Sequence, residues 1–160
     1  MTHLRRPEHF VKKLFASRWK DLHGDNFRIP DGEYPGVYLL AYSNDKLAGR
    51  KVREDQVFYV GMSHAGLSHR VHEFKQGIEN GRQHSGAMRF YAKFAKGNPY
   101  SKLRNRQRFY VVSVAVPCVY KKGKRKPDDL RALGSVAALE WYVLAHILER
   151  TQQEPRLNKK

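Results

Sequence analysis

The stretch GVYLLAY at residues 36–42 decides how this sequence is interpreted. It follows Pro35 and consists of aliphatic, β-branched and aromatic residues, so it predicts a strand over 37–42. A second stretch of the same kind, QVFYVGM at residues 56–62, predicts a neighbouring strand. The polar residues 43–55 between them indicate a long connection. The two strands are therefore expected to form a β-hairpin with an extended loop.

A helix is expected directly after this hairpin. Leu67, Val71, Phe74 and Ile78 recur at spacings of 4, 3 and 4 residues, which places them on one helical face. Gly81 is expected to end this helix, because glycine is common just past a helix C-terminus.

The remaining segments predict one more strand and three more helices. Residues 107–116 are rich in valine and aromatic residues and stop at Pro117, which is typical of a strand. The three helices are expected over residues 8–20, 85–96 and 128–151. Gly134 and Ser135 leave open whether the last of these helices is broken into two pieces. Together these elements predict an α+β domain, in which a small mixed or antiparallel β-sheet is flanked by helices.

Charge is the strongest signal in the composition. The 160 residues include 31 Lys and Arg against 15 Asp and Glu, a net charge of +16, and residues 61–126 alone carry +13. This excess predicts a polyanionic partner, with nucleic acid as the first candidate. A solvated basic face is the alternative. The single cysteine, Cys118, excludes an internal disulfide and a cysteine-rich zinc site.

The chain contains no unbroken run of 18 apolar residues. We therefore expect no membrane-spanning helix and a cytoplasmic protein.

Five short elements with chemical potential occur in order along the chain. The first predicted strand contains Gly-Val-Tyr at 36–38, and the second contains Tyr-Val-Gly at 59–61. Arg70 lies on the helix that follows. Glu140 lies within an otherwise apolar part of the last helix, and Asn158 comes just after that helix.

These elements together resemble the GIY-YIG nuclease family, whose name describes two strand motifs that read GVY and YVG here. The resemblance covers about residues 35–158. It implies a nuclease domain over 35–160 with a basic insertion at about 82–126, preceded by an N-terminal helix and loop over 1–34, in one compact unit. The implied activity is divalent-metal-dependent hydrolysis of phosphodiester bonds in double-stranded DNA, by a restriction-type, phage or mobile-element endonuclease.

Phosphodiester hydrolysis needs an activated water and neutralisation of phosphate charge. Glu140 would hold Mg²⁺ or Mn²⁺ with water and phosphate oxygens, and Arg70 would clamp a phosphate oxygen. The resemblance implies that Tyr38 and Tyr59 position or deprotonate the attacking water. A tyrosine pKa near 10 makes it a poor base unless a cation lies nearby, and which tyrosine acts is left open.

Several supporting residues are expected around this group. Gly36 and Gly61 are interpreted as positions where a side chain would obstruct a phosphate backbone. The resemblance implies that Asn158 aligns DNA or braces the site. The family often carries His or Tyr four residues after the arginine, but here that position is Phe74, expected in the core. His84 is a candidate substitute, with a surface or helix-capping histidine as the alternative.

The basic residues of the insertion are expected to contact DNA phosphates, which position a duplex without reading its sequence. They are Arg82, Arg89, Lys93, Lys102, Arg104, Arg106, Arg108, Lys121, Lys122, Lys124, Arg125 and Lys126. Two alternatives stay open: a non-catalytic nucleic-acid-binding protein on the same scaffold, and a nuclease that targets RNA. The sequence is compatible with a monomer or a homodimer.

Overall fold

A four-stranded antiparallel sheet with helices on both faces forms the α+β fold that the sequence predicts. The computed structural model describes residues 6–158. The strands lie in the order β1-β4-β2-β3. Their bounds are β1 Lys20–Asp21, β2 Gly36–Ser43, β3 Tyr59–Ser63 and β4 Arg108–Ala115.

The predicted hairpin is confirmed, since β2 and β3 pair antiparallel with Tyr38 opposite Gly61. The second strand begins at Tyr59 rather than at residue 56. Residues Glu54–Gln56 instead form a 3-10 turn, and the indole of Trp19 donates a hydrogen bond of 2.8 Å to the Gln56 side chain. This strand is therefore shorter at its start than local composition predicts.

Five α-helices are described within residues 6–158. The first is shorter than predicted, because Lys20 joins the sheet through Val111 of β4 instead of extending the helix. The predicted helix over 85–96 becomes π-helical at Phe90–Phe94, and the last helix runs unbroken through Gly134. The bounds are α1 Pro7–Ala16, α2 Leu67–Asn80, α3 Ser85–Arg89, α4 Tyr100–Leu103 and α5 Pro127–Thr151.

The alternation of side chains along β2 divides the core in two. Val37 and Leu39 point to the face covered by α1 and α5, which we call the α5 face. Tyr38 and Leu40 point to the face covered by α2, α3 and α4, which we call the α2 face. β2 lies between β4 and β3, and helices cover its α2 face. Tyr38 and Leu40 on that face are therefore excluded from solvent.

By length and composition α5 could cross a membrane. In the structure its apolar stripe packs on the sheet, with Val136, Leu139, Val143 and Ile147 buried. A helix in the core of a folded domain passes the same test, so this property does not assign α5 to a bilayer.

Candidate functional site

Tyr38 and Tyr59 form the centre of the candidate site on the α2 face. Their ring centroids lie 6.1 Å apart, and both side chains are buried. Gly61 lies between them, since a Cβ atom there would overlap the Tyr38 ring and stand 2.7 Å from Cε1 of Tyr59. At Gly36 a Cβ would overlap the carbonyl oxygen of Val114. Packing within the chain is therefore by itself a sufficient reason for glycine at both positions, and their role beside a phosphate stays a prediction.

Glu140 and Arg70 lie close enough to the two phenols to affect their ionisation. Burial raises the pKa of Tyr38 well above its ordinary value of 10.0; neighbouring Tyr59 and Glu140 raise it further, and Arg70 opposes them. Burial likewise raises the pKa of Tyr59, Glu140 adds to the increase, and Arg89 and Arg70 counteract it. Two further predicted residues, Arg70 of α2 and Glu140 of α5, therefore lie within electrostatic range of the tyrosine pair on β2 and β3.

Glu140 is a half-buried carboxylate, and burial raises its pKa above the ordinary value of 4.5. Removal from water favours either protonation or a bound cation. Among residues 6–158, no group of three or more His, Cys, Asp or Glu side chains converges on one point. A cation at Glu140 would therefore have one protein carboxylate and otherwise water or substrate oxygens, an arrangement that Mg²⁺ accepts.

Arg70 has a carboxylate neighbour that the sequence analysis missed. Its Nη1 lies 2.9 Å from an Oε atom of Glu73, and the two side chains are 30% and 27% exposed. This contact lowers the pKa of Glu73. The spacing of three residues on α2 was the available signal, because such residues are neighbours on a helix surface. The ion pair holds the guanidinium in place beside the tyrosines.

His84 is fully buried, so the alternative of a surface histidine is wrong. It is the N-cap of α3, where its Nδ1 accepts hydrogen bonds from the backbone N–H groups of Gly86 and Ala87 at 3.1 and 3.3 Å. Its Nε2 lies 2.7 Å from the hydroxyl oxygen of Tyr38. The capping alternative is therefore confirmed, and the same ring also contacts the candidate site.

Phe74 is a core residue, as predicted. Its ring lies 6.3 Å from that of Tyr59 and 5.2 Å from that of His84, measured between centroids. The apolar residue at this position therefore packs against the tyrosine and the histidine without offering either a hydrogen bond.

Asn158 is bonded to the backbone of the edge strand β3. Its Oδ1 accepts from the Val60 N–H at 2.8 Å, and its Nδ2 donates to the Val60 carbonyl at 2.9 Å. The N–H of Leu157 also donates to the carbonyl of Phe58 at 3.0 Å. Of the two roles implied for Asn158, this geometry corresponds to bracing the strand that carries Tyr59.

Three of the twelve predicted DNA-contacting residues are held by the protein itself. Arg89 donates to the carbonyl of Leu157 at 2.7 Å, Arg108 to Asp21 at 2.8 Å, and Arg125 to its neighbour Tyr120. The other nine are exposed: Arg82, Lys93, Lys102, Arg104, Arg106, Lys121, Lys122, Lys124 and Lys126. These nine are the members of the predicted set that are best placed to meet a phosphate backbone.

No family model matches this chain, and searches of curated proteins and of solved structures also find no match. The resemblance to a nuclease family therefore stays a prediction from the motif residues of the sequence.

Proposed function

We propose that this protein is a divalent-metal-dependent DNA endonuclease related to the GIY-YIG nucleases. The observation that carries the proposal is that Arg70 of α2 and Glu140 of α5 both lie within electrostatic range of the adjacent phenols of Tyr38 and Tyr59. Phosphodiester hydrolysis needs an activated water and neutralisation of phosphate charge, and these side chains supply hydroxyls that can orient water, a cation and a carboxylate able to hold a metal ion. The net charge of +16 supplies attraction for the polyanionic substrate.

In this proposal Arg70 neutralises the phosphate, and its ion pair with Glu73 keeps the guanidinium oriented. Glu140 would hold Mg²⁺ or Mn²⁺, which when bound polarises water and phosphate oxygens. Tyr38 and Tyr59 are neutral at physiological pH, where an ordinary tyrosine is already protonated, and burial raises both pKa values further. Tyr59, on the edge strand, orients the attacking water by a hydrogen bond from its hydroxyl, and Tyr38, which is excluded from solvent, holds the Tyr59 hydroxyl in position.

The test is cleavage of plasmid and linear duplex DNA with Mg²⁺ or Mn²⁺, followed by sequencing of the ends. The wild type should cut, while Glu140→Ala should abolish cutting and largely retain DNA binding. Glu149→Ala, an exposed carboxylate on the same helix, is the matched control and should cut normally. If Glu140→Ala cuts like the wild type, the assignment of the metal ligand is wrong.

A non-catalytic nucleic-acid-binding protein is the second candidate. The observation that favours it is Phe74, which lies where the family often has a residue able to hydrogen-bond. It predicts tight, salt-dependent binding with no metal-stimulated cleavage of any substrate. Parallel assays on duplex DNA and on structured RNA separate both candidates from a nuclease that targets RNA.

A further inference from the structure

The buried contact between His84 and Tyr38 joins two elements that are 46 residues apart in sequence. His84 reaches the candidate site from the start of α3. Two glycines adjoin it: a Cβ on Gly86 would lie 3.2 Å from Cε1 of His84 and 2.9 Å from Cζ of Tyr59, and one on Gly77 would lie 2.6 Å from the carbonyl oxygen of Arg82. The local backbone therefore fits closely around this imidazole.

The backbone of α3 determines which ring nitrogen carries the proton. Nδ1 accepts from the N–H groups of Gly86 and Ala87, so it must present a lone pair. A neutral imidazole with a free Nδ1 carries its hydrogen on Nε2. The Nε2–H group therefore donates to the hydroxyl oxygen of Tyr38 across 2.7 Å.

The neutral state of the ring is supported by its surroundings. Burial lowers the pKa of His84 to about 4; Arg70 and Arg89 lower it as well, and Glu73 opposes them. These charges face the ring from α2 and α3. A neutral ring with Nδ1 sealed by the helix cap and Nε2 already protonated has no site left to accept a proton from Tyr38.

We infer that His84 is the positioning residue of Tyr38: it donates one hydrogen bond to the phenol oxygen and so turns the hydroxyl hydrogen away from itself. From the start of α3, His84 thus gives the site a hydrogen-bonding side chain, which Phe74 at the equivalent family position cannot provide. The inference rests on the proposed function for its effect on cleavage. It assigns His84 as a fixed donor, and it excludes His84 as a general base.

The decisive variant is His84→Asn. Asparagine is a good N-cap, so it retains an acceptor for the first N–H groups of α3, but its side chain is too short to reach the Tyr38 hydroxyl. His84→Ala removes both contacts, and Tyr38→Phe removes the hydroxyl while retaining the ring. If positioning matters, His84→Asn lowers kcat by about tenfold to a hundredfold and leaves the KM for DNA nearly unchanged.

A double variant separates positioning from folding. In a Tyr38→Phe background, His84→Asn should cause no further decrease in kcat, because its effect passes through the missing hydroxyl. A melting temperature closer to the wild type for His84→Asn than for His84→Ala would show that the cap survives. Equal kcat for His84→Asn and the wild type would overturn the inference while leaving the nuclease proposal intact.

Nitrogen NMR of the imidazole supplies a readout that does not need activity. The expected result at neutral pH is a ring protonated on Nε2 only, with the Nε2 proton shifted on Tyr38→Phe substitution. A ring protonated on Nδ1 contradicts the inference, whether or not the protein cuts DNA. A wild type that shows the expected ring state but cuts no substrate contradicts the proposed function instead.

Discussion

At the scale of single residues, two neutral histidines, one buried and one half-buried, connect stability to pH. Burial lowers the pKa of His84 from 6.5 to about 4, and burial together with Lys75 lowers that of His23 to about 4. The unfolded chain therefore binds more protons than the native state below pH 6.5. By linkage, the free energy of unfolding should fall as the pH drops from 6.5 to 4, with a slope of up to about 1.4 kcal/mol per pH unit for each group.

Urea denaturation across that pH window measures this slope. The His84→Asn variant is the control, since it removes one of the two groups and should show a shallower slope. Equal slopes for the two proteins would mean that His84 does not stay neutral in the native state.

The substitution Gly61→Ala tests how closely the rings of Tyr38 and Tyr59 are packed. A Cβ at this position overlaps the Tyr38 ring and crowds Tyr59, so Gly61→Ala must displace at least one ring. Overpacking of this kind costs about 1–3 kcal/mol. We expect a fall of that size in the free energy of unfolding from urea titrations, accompanied by a change in the near-ultraviolet circular dichroism of the tyrosines. A stability equal to that of the wild type would contradict the packing described for Gly61.

At the scale of elements, α5 contains a glycine whose replacement by alanine should increase stability, whereas the same replacement at Gly61 should decrease it. Gly134 lies inside the continuous helix, and a Cβ there would meet no atom within 4 Å. Gly134→Ala should therefore raise the free energy of unfolding by about 0.5–1 kcal/mol, because alanine loses less backbone entropy in a helix. The same titrations measure it. A decrease in stability would indicate that the helix bends or breaks at this residue.

Elements with strong local patterns could be predicted from the sequence. The apolar run at 36–42 forms β2, the face through Leu67 and Ile78 forms α2, and Gly81 adopts the left-handed conformation that ends it. These segments are long and periodic, so their local preference and tertiary packing agree. The break left open at Gly134 does not occur, since the apolar stripe of α5 outweighs one glycine.

The remaining structure depends on contacts that no local pattern encodes. The two residues of β1 are too few to show periodicity, and they become a strand only by pairing with β4. His84 was a candidate through its residue type and its position at the start of a predicted helix; its bond to Tyr38 depends on how that helix packs on the sheet. Likewise Asn158 meets Val60 across 98 residues. Motif order could nominate the site residues, but only the tertiary structure shows which of them touch.

At the scale of the whole molecule, the exposed cations form more than one group. Arg82 lies two residues before His84, beside the candidate site. Arg104 and Arg106 follow α4, near the end of the sheet where Arg108 pairs with Ser43. Tyr38 of the candidate site pairs with Ser113 of β4, which is five residues from Arg108. At 3.4 Å per residue, the candidate site therefore lies about 17 Å along the strand from that end of the sheet. A duplex that contacts both groups would therefore lie along the sheet and span several phosphates.

This geometry predicts that the position of a charge matters more than the total charge. The double variant Arg104→Gln with Arg106→Gln should weaken binding to duplex DNA and reduce the slope of log K against log salt by about 0.9 for each phosphate that the variant no longer neutralises. Lys12→Gln with Lys13→Gln removes the same number of charges from α1, whose Val11 and Leu14 pack on the α5 face. That matched variant should leave the slope almost unchanged. Fluorescence anisotropy over a salt series measures both slopes, and equal reductions in the two variants would show that the basic residues act only through the overall field.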